Sequence, residues 1–487
     1  MKNLLKWSVA LACLPCFMLP IKAEVKMPSF FGDNMVLQQQ SQANLWGWAS
    51  AGKQVTVKTS WNGKQYTTKA NAEGRWKLAV ETPKAGGPYD ITISDGKPLK
   101  LRNVLIGEVW ICSGQSNMEM PMKGFKMQPV EGANMDAAYS KNSKIRLFTV
   151  GLNSQTTPQD TVKGQWREAC PASVREFSAT AYYFGRMLNR VLDVPVGLIV
   201  AAWGGSACEA WMNPAWLKDE WMKNYRYPVP AKGAKIPSKN RTATVLYNGM
   251  LHPLIGYTMR GVLWYQGEDN YDRSSTYADQ LSTMVKGWRT EWKQGDFPFY
   301  YCQIAPYDYS LLIEKGKEVI NSAYLREQQS KAEFMIPHSG MAVLMDGGLE
   351  TCIHPRAKYK AGERLCLQAL CKTYKVEGLV CDPPIYKGME VKGDTVVVTF
   401  DRNKMWPAGK GVFTSKLFKV AGEDRVFYPA KAWIVQKHVY VKSEQVPHPV
   451  AVRYAFDNWA DGDLFGEEIP VSSFRSDDWP EQRTIKE

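Results

Sequence analysis

Between residues 105 and 375 the chain alternates apolar runs of strand length with segments of helical periodicity, and this alternation restricts the fold more than any other feature. The runs are "EVWICSG", "VPVGLIVAAWGG", "RGVLWYQGE", "FPFYYCQIAPY" and "GMAVLMDGG", and each ends in glycine or polar residues. Between them, residues 178–192, 276–292 and 354–370 carry the helical period. Strand and helix in alternation predict an α/β domain over 105–375, a mostly parallel sheet with helices on both faces. Ligands of such sheets sit beyond the carboxyl ends of the strands. The glycine-rich blocks fall there.

The flanks have a different character. Residues 24–104 break into short, partly alternating segments, such as "ANLWGWA", "KQVTVKTSW" and "YDITISD", separated by Gly and Asn clusters. They predict an N-terminal β-sandwich. Residues 376–487 turn β-like again ("MEVKGDTVVVTF", "KAWIVQKHVYVKS", "PVAVRYAF"), which predicts a C-terminal β-rich, sandwich-like region. Residues 1–23 read as an export signal: Lys2 and Lys6 precede an apolar stretch from Trp7 to Leu19, with cleavage after Ala23. A lipid anchor on Cys13 or Cys16 has little support in the surrounding residues. No later segment reads as a membrane span. The protein is therefore expected in the periplasm, at the cell surface or secreted.

Charge and cysteines narrow the function classes. The net charge of +13 becomes +10 once the leader removes three lysines and no acid. That balance suits an anionic substrate or surface. No basic helix, arginine-rich arm or RNA-binding signature is present, so no nucleic-acid partner is expected. The dense basic stretch "PAKGAKIPSKNR" (230–241) reads as a solvated loop. Eight cysteines remain after the leader, none in CxxC spacing, and the five histidines are scattered. Neither a metal nor any other cofactor is expected. Disulfide pairing and oligomeric state are not legible in the sequence.

Four blocks at strand ends carry the candidate chemistry: "SGQSNM" (113–118), "WGGSACEAW" (203–211), "WYQGEDN" (264–270) and "CIHPRAK" (352–358). Ser116 follows a strand, where a turn can expose its Oγ and set its own N–H alongside. A serine becomes a nucleophile only with a base and oxyanion donors. His354 is a candidate base, and Pro355 after it suits a first helical turn. Gly205 can bring an N–H close to a substrate. Asn117, Gln266 and Asn270 carry amides able to donate. Each element alone has a plain structural explanation as a turn, cap or core residue, but four together at strand ends are harder to explain that way. The GxSxG elbow is absent, because Met118 stands at the second glycine.

These blocks resemble the sialate O-acetylesterase family of the SGNH (GDSL-like) hydrolase superfamily. "GEVWICSGQSNMEM", "WGGS", "LYNGMLHPL", "GVLWYQGEDN" and "IHPRAKYKAGERL" follow its pattern in order, and "FGDNMVLQQ" with "WGWASAGKQVTV" resembles its leading β-domain. The resemblance runs from about residue 28 to 370. It implies an SGNH-like fold and hydrolysis of O-acetyl esters of sugars, O-acetylated sialic acid first among them. Acetyl-xylan or another plant polysaccharide is the alternative substrate, and a non-catalytic carbohydrate-binding relative the alternative function. The resemblance makes Ser116 the nucleophile and His354 the base. It gives the oxyanion hole to the Ser116 N–H, the Gly205 N–H and the Gln266 amide. Gln115, Asn117, Gly204, Glu268 and Asn270 would shape the pocket. One departure stands out: the family places an aspartate two or three residues before the histidine, where this chain has Cys352 and Thr351. Asp346 or Glu350 would then have to orient the imidazole, or a backbone carbonyl would do so in a Ser–His dyad.

Overall fold

The protein, described here from a computed structural model, is defined over residues 24–402, 415–481 and 483–486. The expected leader at 1–23 lies outside the described residues. The strands of the central sheet are β1 (Pro98–Gly114), β2 (Asn142–Thr149), β3 (Trp166–Ala169), β4 (Val196–Ala202), β5 (Gly261–Tyr265), β6 (Phe299–Cys302) and β7 (Ser339–Ala342). Their spatial order is β7-β6-β5-β1-β4-β2-β3. Neighbours are parallel except the edge strand β3, which runs antiparallel to β2. The chain fills one side of β1 first and then crosses to the other, so the order reverses at β1.

The apolar runs have no polar face because both faces are covered. Val109 and Ile111 of β1 enter one hydrophobic cluster with Leu281, Met284 and Trp288 of helix α2 (Tyr277–Trp292) and Leu325 of α3 (Ala323–Met335). Trp110 and Cys112 enter another with Phe184 and Leu188 of α1 (Ala179–Leu192) and Leu365 of α4 (Lys358–Lys372). Side chains two apart on a strand share a face, so one strand feeds both cores. Ser178 caps α1, its side chain accepting the Ala181 N–H at 3.1 Å. The sequence places Pro355, directly after His354, in the first turn of the last helix. In the structure α4 begins at Lys358, and His354–Ala357 form an irregular bend ahead of it. The residue before a proline avoids helical geometry, which keeps His354 outside.

β1 also ties the N-terminal strands to the centre. Its first half pairs antiparallel with Gly86–Ser94, while its second half pairs in parallel with β4 and β5. Gln54–Thr59 and Gln65–Lys69 extend the first pairing. Gln42–Trp48 and Arg75–Glu81 make a separate two-stranded sheet whose apolar residues join the same core. One strand thus runs unbroken through residue 104. The C-terminal strands differ from the expected sandwich. Among the described residues seven of them form one antiparallel sheet with Ile385–Lys392 and Phe474–Arg475 at its edges, while Phe465–Gly466 and Ile469–Pro470 pair separately and Thr484–Ile485 pairs with Glu318–Val319. This sheet docks on α3 through Arg326, fully buried, whose guanidinium donates to the carbonyls of Asp457 at 2.5 Å and Ala455 at 3.3 Å. No helix among the described residues is long and apolar enough to cross a membrane.

Glu108 locks the junction between these parts. Its fully buried carboxylate accepts from Arg260 at 2.7 and 3.1 Å, Gln39 at 2.7 Å and the Tyr374 hydroxyl at 2.7 Å. Glu108→Ala strands those donors. It is expected to destabilise the fold by about 3–5 kcal/mol, read from chemical denaturation.

Candidate active site

At the carboxyl end of the sheet, β1 stops between its two parallel neighbours, with Gly114 level with Ala202 of β4 and Tyr265 of β5. Gly114 has φ +138, and a Cβ there would lie 2.1 Å from the Tyr265 carbonyl oxygen. Only glycine lets the chain pass so close to β5. The next N–H, of Gln115, donates to that carbonyl at 2.9 Å. A single helical turn, Ser116–Glu119, follows at once.

Ser116 is therefore the first residue of a helical turn at the mouth of a cavity of about 690 Å³. First-turn N–H groups have no partner within a helix. The Ser116 N–H and Oγ make no hydrogen bond among the described residues. Gln115, Ser116, Gly204, Gly205, Glu268 and His354 all line this cavity. Gly204 touches the Ser116 turn, since a Cβ on it would stand 3.4 Å from the Ser116 Cβ. Its N–H donates to Glu119 at 2.5 Å and its carbonyl accepts from Asn240 at 2.6 Å. Gly205, at φ +62, keeps its N–H unpaired among the described residues. Two unpaired backbone donors, Ser116 and Gly205, thus face one cavity with a serine and a histidine.

The amides expected to assist lie beneath the cavity. Gln266 is fully buried, and its Nε2 donates to the Ser206 carbonyl at 3.0 Å and to Asn270 at 2.7 Å. Both of its N–H bonds are spent on the scaffold, so the expected oxyanion role of Gln266 is corrected. Asn270 is buried under the same floor, donating to Glu209 at 3.0 Å. Asn117 is buried too, donating to Glu268 at 2.5 Å and to the Ile353 carbonyl at 3.2 Å, and accepting from Lys358. Asn117 and Asn270 hold the walls rather than line the pocket. Gln115 does line it, and its side-chain oxygen accepts the N–H groups of Gly267 and Asp269, each at 3.3 Å.

Neither proposed acid reaches the histidine. Asp346 is paired with Arg364 at 2.6 Å and Lys360 at 3.0 Å. Burial pushes its carboxyl up, but these two cations outweigh that and hold it below its usual range. Glu350 is exposed, and its side chain makes no hydrogen bond among the described residues. Instead His354 Nδ1 lies 2.6 Å from the side-chain oxygen of Gln128, and its ring meets the edge of Phe125 at 5.2 Å. Burial first, and the Lys358 ammonium second, hold the imidazole down to about 4. Burial also lowers Lys358 to about 7, against the pull of Glu268, whose own carboxyl burial pushes above the ordinary range.

The outer wall comes from segments that carried no signal in the sequence. Asn224–Tyr227 and Arg241 line the cavity, and Arg241 is the end of the basic loop read as merely solvated. Arg241 pairs with Asp269 at 2.6 Å, and Arg273 with Glu209 at 3.1 Å and Asp272 at 2.8 Å. Burial lifts Asp269 to about 6, against Arg241 and Arg273. Arg226 is exposed, stacks on the Tyr227 ring at 5.4 Å, and has no carboxylate partner among the described residues. The arrangement offers a serine hydroxyl, a neutral imidazole, two unpaired backbone N–H groups and one uncompensated cation.

Glu119 fixes the Gly204–Gly205 turn to the Ser116 turn. Glu119→Ala removes that anchor and is expected to lower kcat about ten- to a hundredfold, while Glu119→Gln, which keeps an acceptor, retains most of it. Steady-state kinetics on a model acetate ester reads both.

Comparison with known proteins gives the family. Residues 106–370 match the family described as carbohydrate esterase, sialic acid-specific acetylesterase. The sialate O-acetylesterase of Rattus norvegicus is 29% identical over 434 residues, covering 77% of this chain and 79% of the relative. That of Homo sapiens is 29% identical over 400 residues, covering 75% and 74%. The crystal structure of a carbohydrate acetylesterase from Xanthomonas citri superposes with a TM-score of 0.83 at 35% identity, over 94% of this chain and 100% of that one. The chain belongs to this carbohydrate esterase family, and it is an esterase.

Proposed function

We propose that the protein is an exported carbohydrate O-acetylesterase of SGNH type that works through a serine acetyl-enzyme, with O-acetylated sialic acid as its leading substrate. One observation carries the serine mechanism. Ser116, His354 and the unpaired N–H groups of Ser116 and Gly205 converge on one cavity at the sheet's reversal point. In the first step Ser116 Oγ attacks the acetyl carbonyl while His354 Nε2 takes its proton. The two N–H groups hold the oxyanion. The tetrahedral intermediate collapses, the C–O bond to the sugar breaks, and His354 gives the proton to the departing hydroxyl. Water then attacks the acetyl-enzyme with His354 again as base, releasing acetate and restoring Ser116.

The substrate class draws support from charge. Arg241 and Arg273 are neutralised by acids, which leaves Arg226 to meet an anionic group on the sugar. The names of the mammalian relatives point the same way. Export draws support from Lys2, Lys6 and the apolar run from Trp7 to Leu19.

Side-by-side acetate release is expected to favour O-acetylated sialic acid over acetylated xylan. Arg226→Gln should narrow that kcat/KM ratio about tenfold, the scale of one charged hydrogen bond. Preference for xylan, or a ratio indifferent to Arg226, contradicts the sialate assignment. No acetate from either ester between pH 4 and 9 contradicts the function itself.

The pH profile follows from His354. Its neutral form is the base, and the imidazolium present below about pH 4 cannot accept the serine proton. The kcat/KM is therefore expected to rise through about pH 4 and level off above it. An acid limb at the ordinary histidine value of about 6.5 would contradict the environment described for His354.

A further inference from the structure

Among the described residues no carboxylate stands at His354 Nδ1. The neutral oxygen that does stand there belongs to a residue far away in sequence. We propose that Gln128 is the positioning residue of the histidine: its side-chain carbonyl takes the Nδ1–H and fixes Nε2 as the basic nitrogen, in the place of a triad carboxylate. The inference rests on the serine-esterase function proposed above and explains how that function is met without an acid.

Three observations carry it. First, the contact is short, 2.6 Å, and an amide oxygen can only accept, so Nδ1 is the protonated nitrogen. Second, the holder is closed upon itself. Phe125 and Gln128 exchange backbone hydrogen bonds, N–H to carbonyl at 3.1 and 3.0 Å, so their side chains are presented as a pair. One side chain accepts from the ring and the other packs against it at 5.2 Å. Third, the segment is tied at both ends. Met122 and Lys123 donate to the carbonyls of Phe177 and Arg175 at 2.8 and 3.0 Å, and the Glu131 N–H donates to the Arg356 carbonyl at 3.0 Å, just past the histidine. The loop that leaves the nucleophile turn thus returns to grip the loop that carries the base.

A neutral acceptor has a chemical consequence. A carboxylate at Nδ1 stabilises the imidazolium and raises its pKa, whereas an amide oxygen orients the ring without that charge. The titratable and charged groups around His354 do not replace it. Lys358, which burial lowers to about 7, is a cation in the acid range, Glu268 is engaged with Asn117, the Cys352 thiol donates to the His354 carbonyl at 3.5 Å, and Lys126 on the turn is exposed. Such a site keeps its base free of protons in acid, at the cost of a less stabilised imidazolium in the transition state.

The test is a series at one position, read in two ways. Gln128→Glu supplies the missing charge in nearly the same shape. It is expected to move the acid limb of kcat/KM up by about one pH unit or more. Gln128→Ala is expected to lower kcat about ten- to a hundredfold with KM little changed and the limb near its original place. The second reading needs no turnover: the His354 Cε1–H resonance, followed by NMR against pH in wild type and Gln128→Glu, should shift by the same amount as the limb. Thermal unfolding of each variant separates lost orientation from lost fold. If the resonance and the limb stay in place in folded Gln128→Glu, the proposal is overturned. If the resonance shifts in an enzyme that releases no acetate, Gln128 holds the ring and it is the esterase function that fails.

Discussion

The site depends on the close passage of Gly114 against β5. The carbonyl of Tyr265 occupies the space a side chain would need and takes the Gln115 N–H, while the Gly114 carbonyl accepts from Trp203 at 3.1 Å and from the Ser206 hydroxyl at 3.3 Å. One residue therefore fastens the ends of three strands. Ser116 is delivered directly above that fastening, with the Gly204–Gly205 turn on one side and Gly267–Glu268 on the other. Because the chain order reverses at β1, the loops on its two sides leave in opposite directions and a crevice remains between them.

The cavity sits on a buried polar floor. Lys358, Asn117 and Glu268 form one chain of contacts, and Gln266, Asn270, Glu209 and Arg273 form another. Burying these groups is costly unless each has partners, and most of their polar atoms are paired; Glu268 Oε2 is an exception, buried without a partner. What the floor provides is rigidity and a low-dielectric surround. Burial lowers Lys358 and holds His354 neutral, so the electrostatics of the imidazole are set by the layer that supports it. The C-terminal sheet reinforces this from outside: the Gly462 N–H meets the Met345 carbonyl at 2.9 Å and the Tyr307 N–H the Asn458 carbonyl at 3.2 Å, bracing loops beyond β6 and β7.

Much of this was legible in the sequence because it is local. Strands buried on both faces leave continuous apolar runs, and helices packed on one face leave a 3.6-residue period, so the α/β core could be read directly. Ser116, Gly205 and His354 could be read because strand ends in such a sheet point to one edge. The direction of an amide could not: Gln266, Asn117 and Asn270 occupy strand-end positions as suitable as that of Gln115, but their partners lie in the scaffold. An acid partner for His354 was sought at Asp346 and Glu350, with a Ser–His dyad as the alternative, and the side chain at Nδ1 comes instead from position 128, brought there by the fold. Arg226 and Arg241 stayed hidden for the same reason, in loops whose packing is not encoded by any local period. The helix start was misplaced because a proline that suits a first turn equally suits the bend before one.

The central claim is that Ser116 forms the covalent intermediate. It is tested most directly by treating wild type and Ser116→Ala with an active-site-directed phosphonate ester and mapping the adduct by peptide mass spectrometry. The expected result is one stoichiometric adduct on the peptide carrying Ser116, acetate release lost in step with labelling, and neither adduct nor acetate release from Ser116→Ala. An adduct on another residue, or acetate release that persists in Ser116→Ala, would contradict the account.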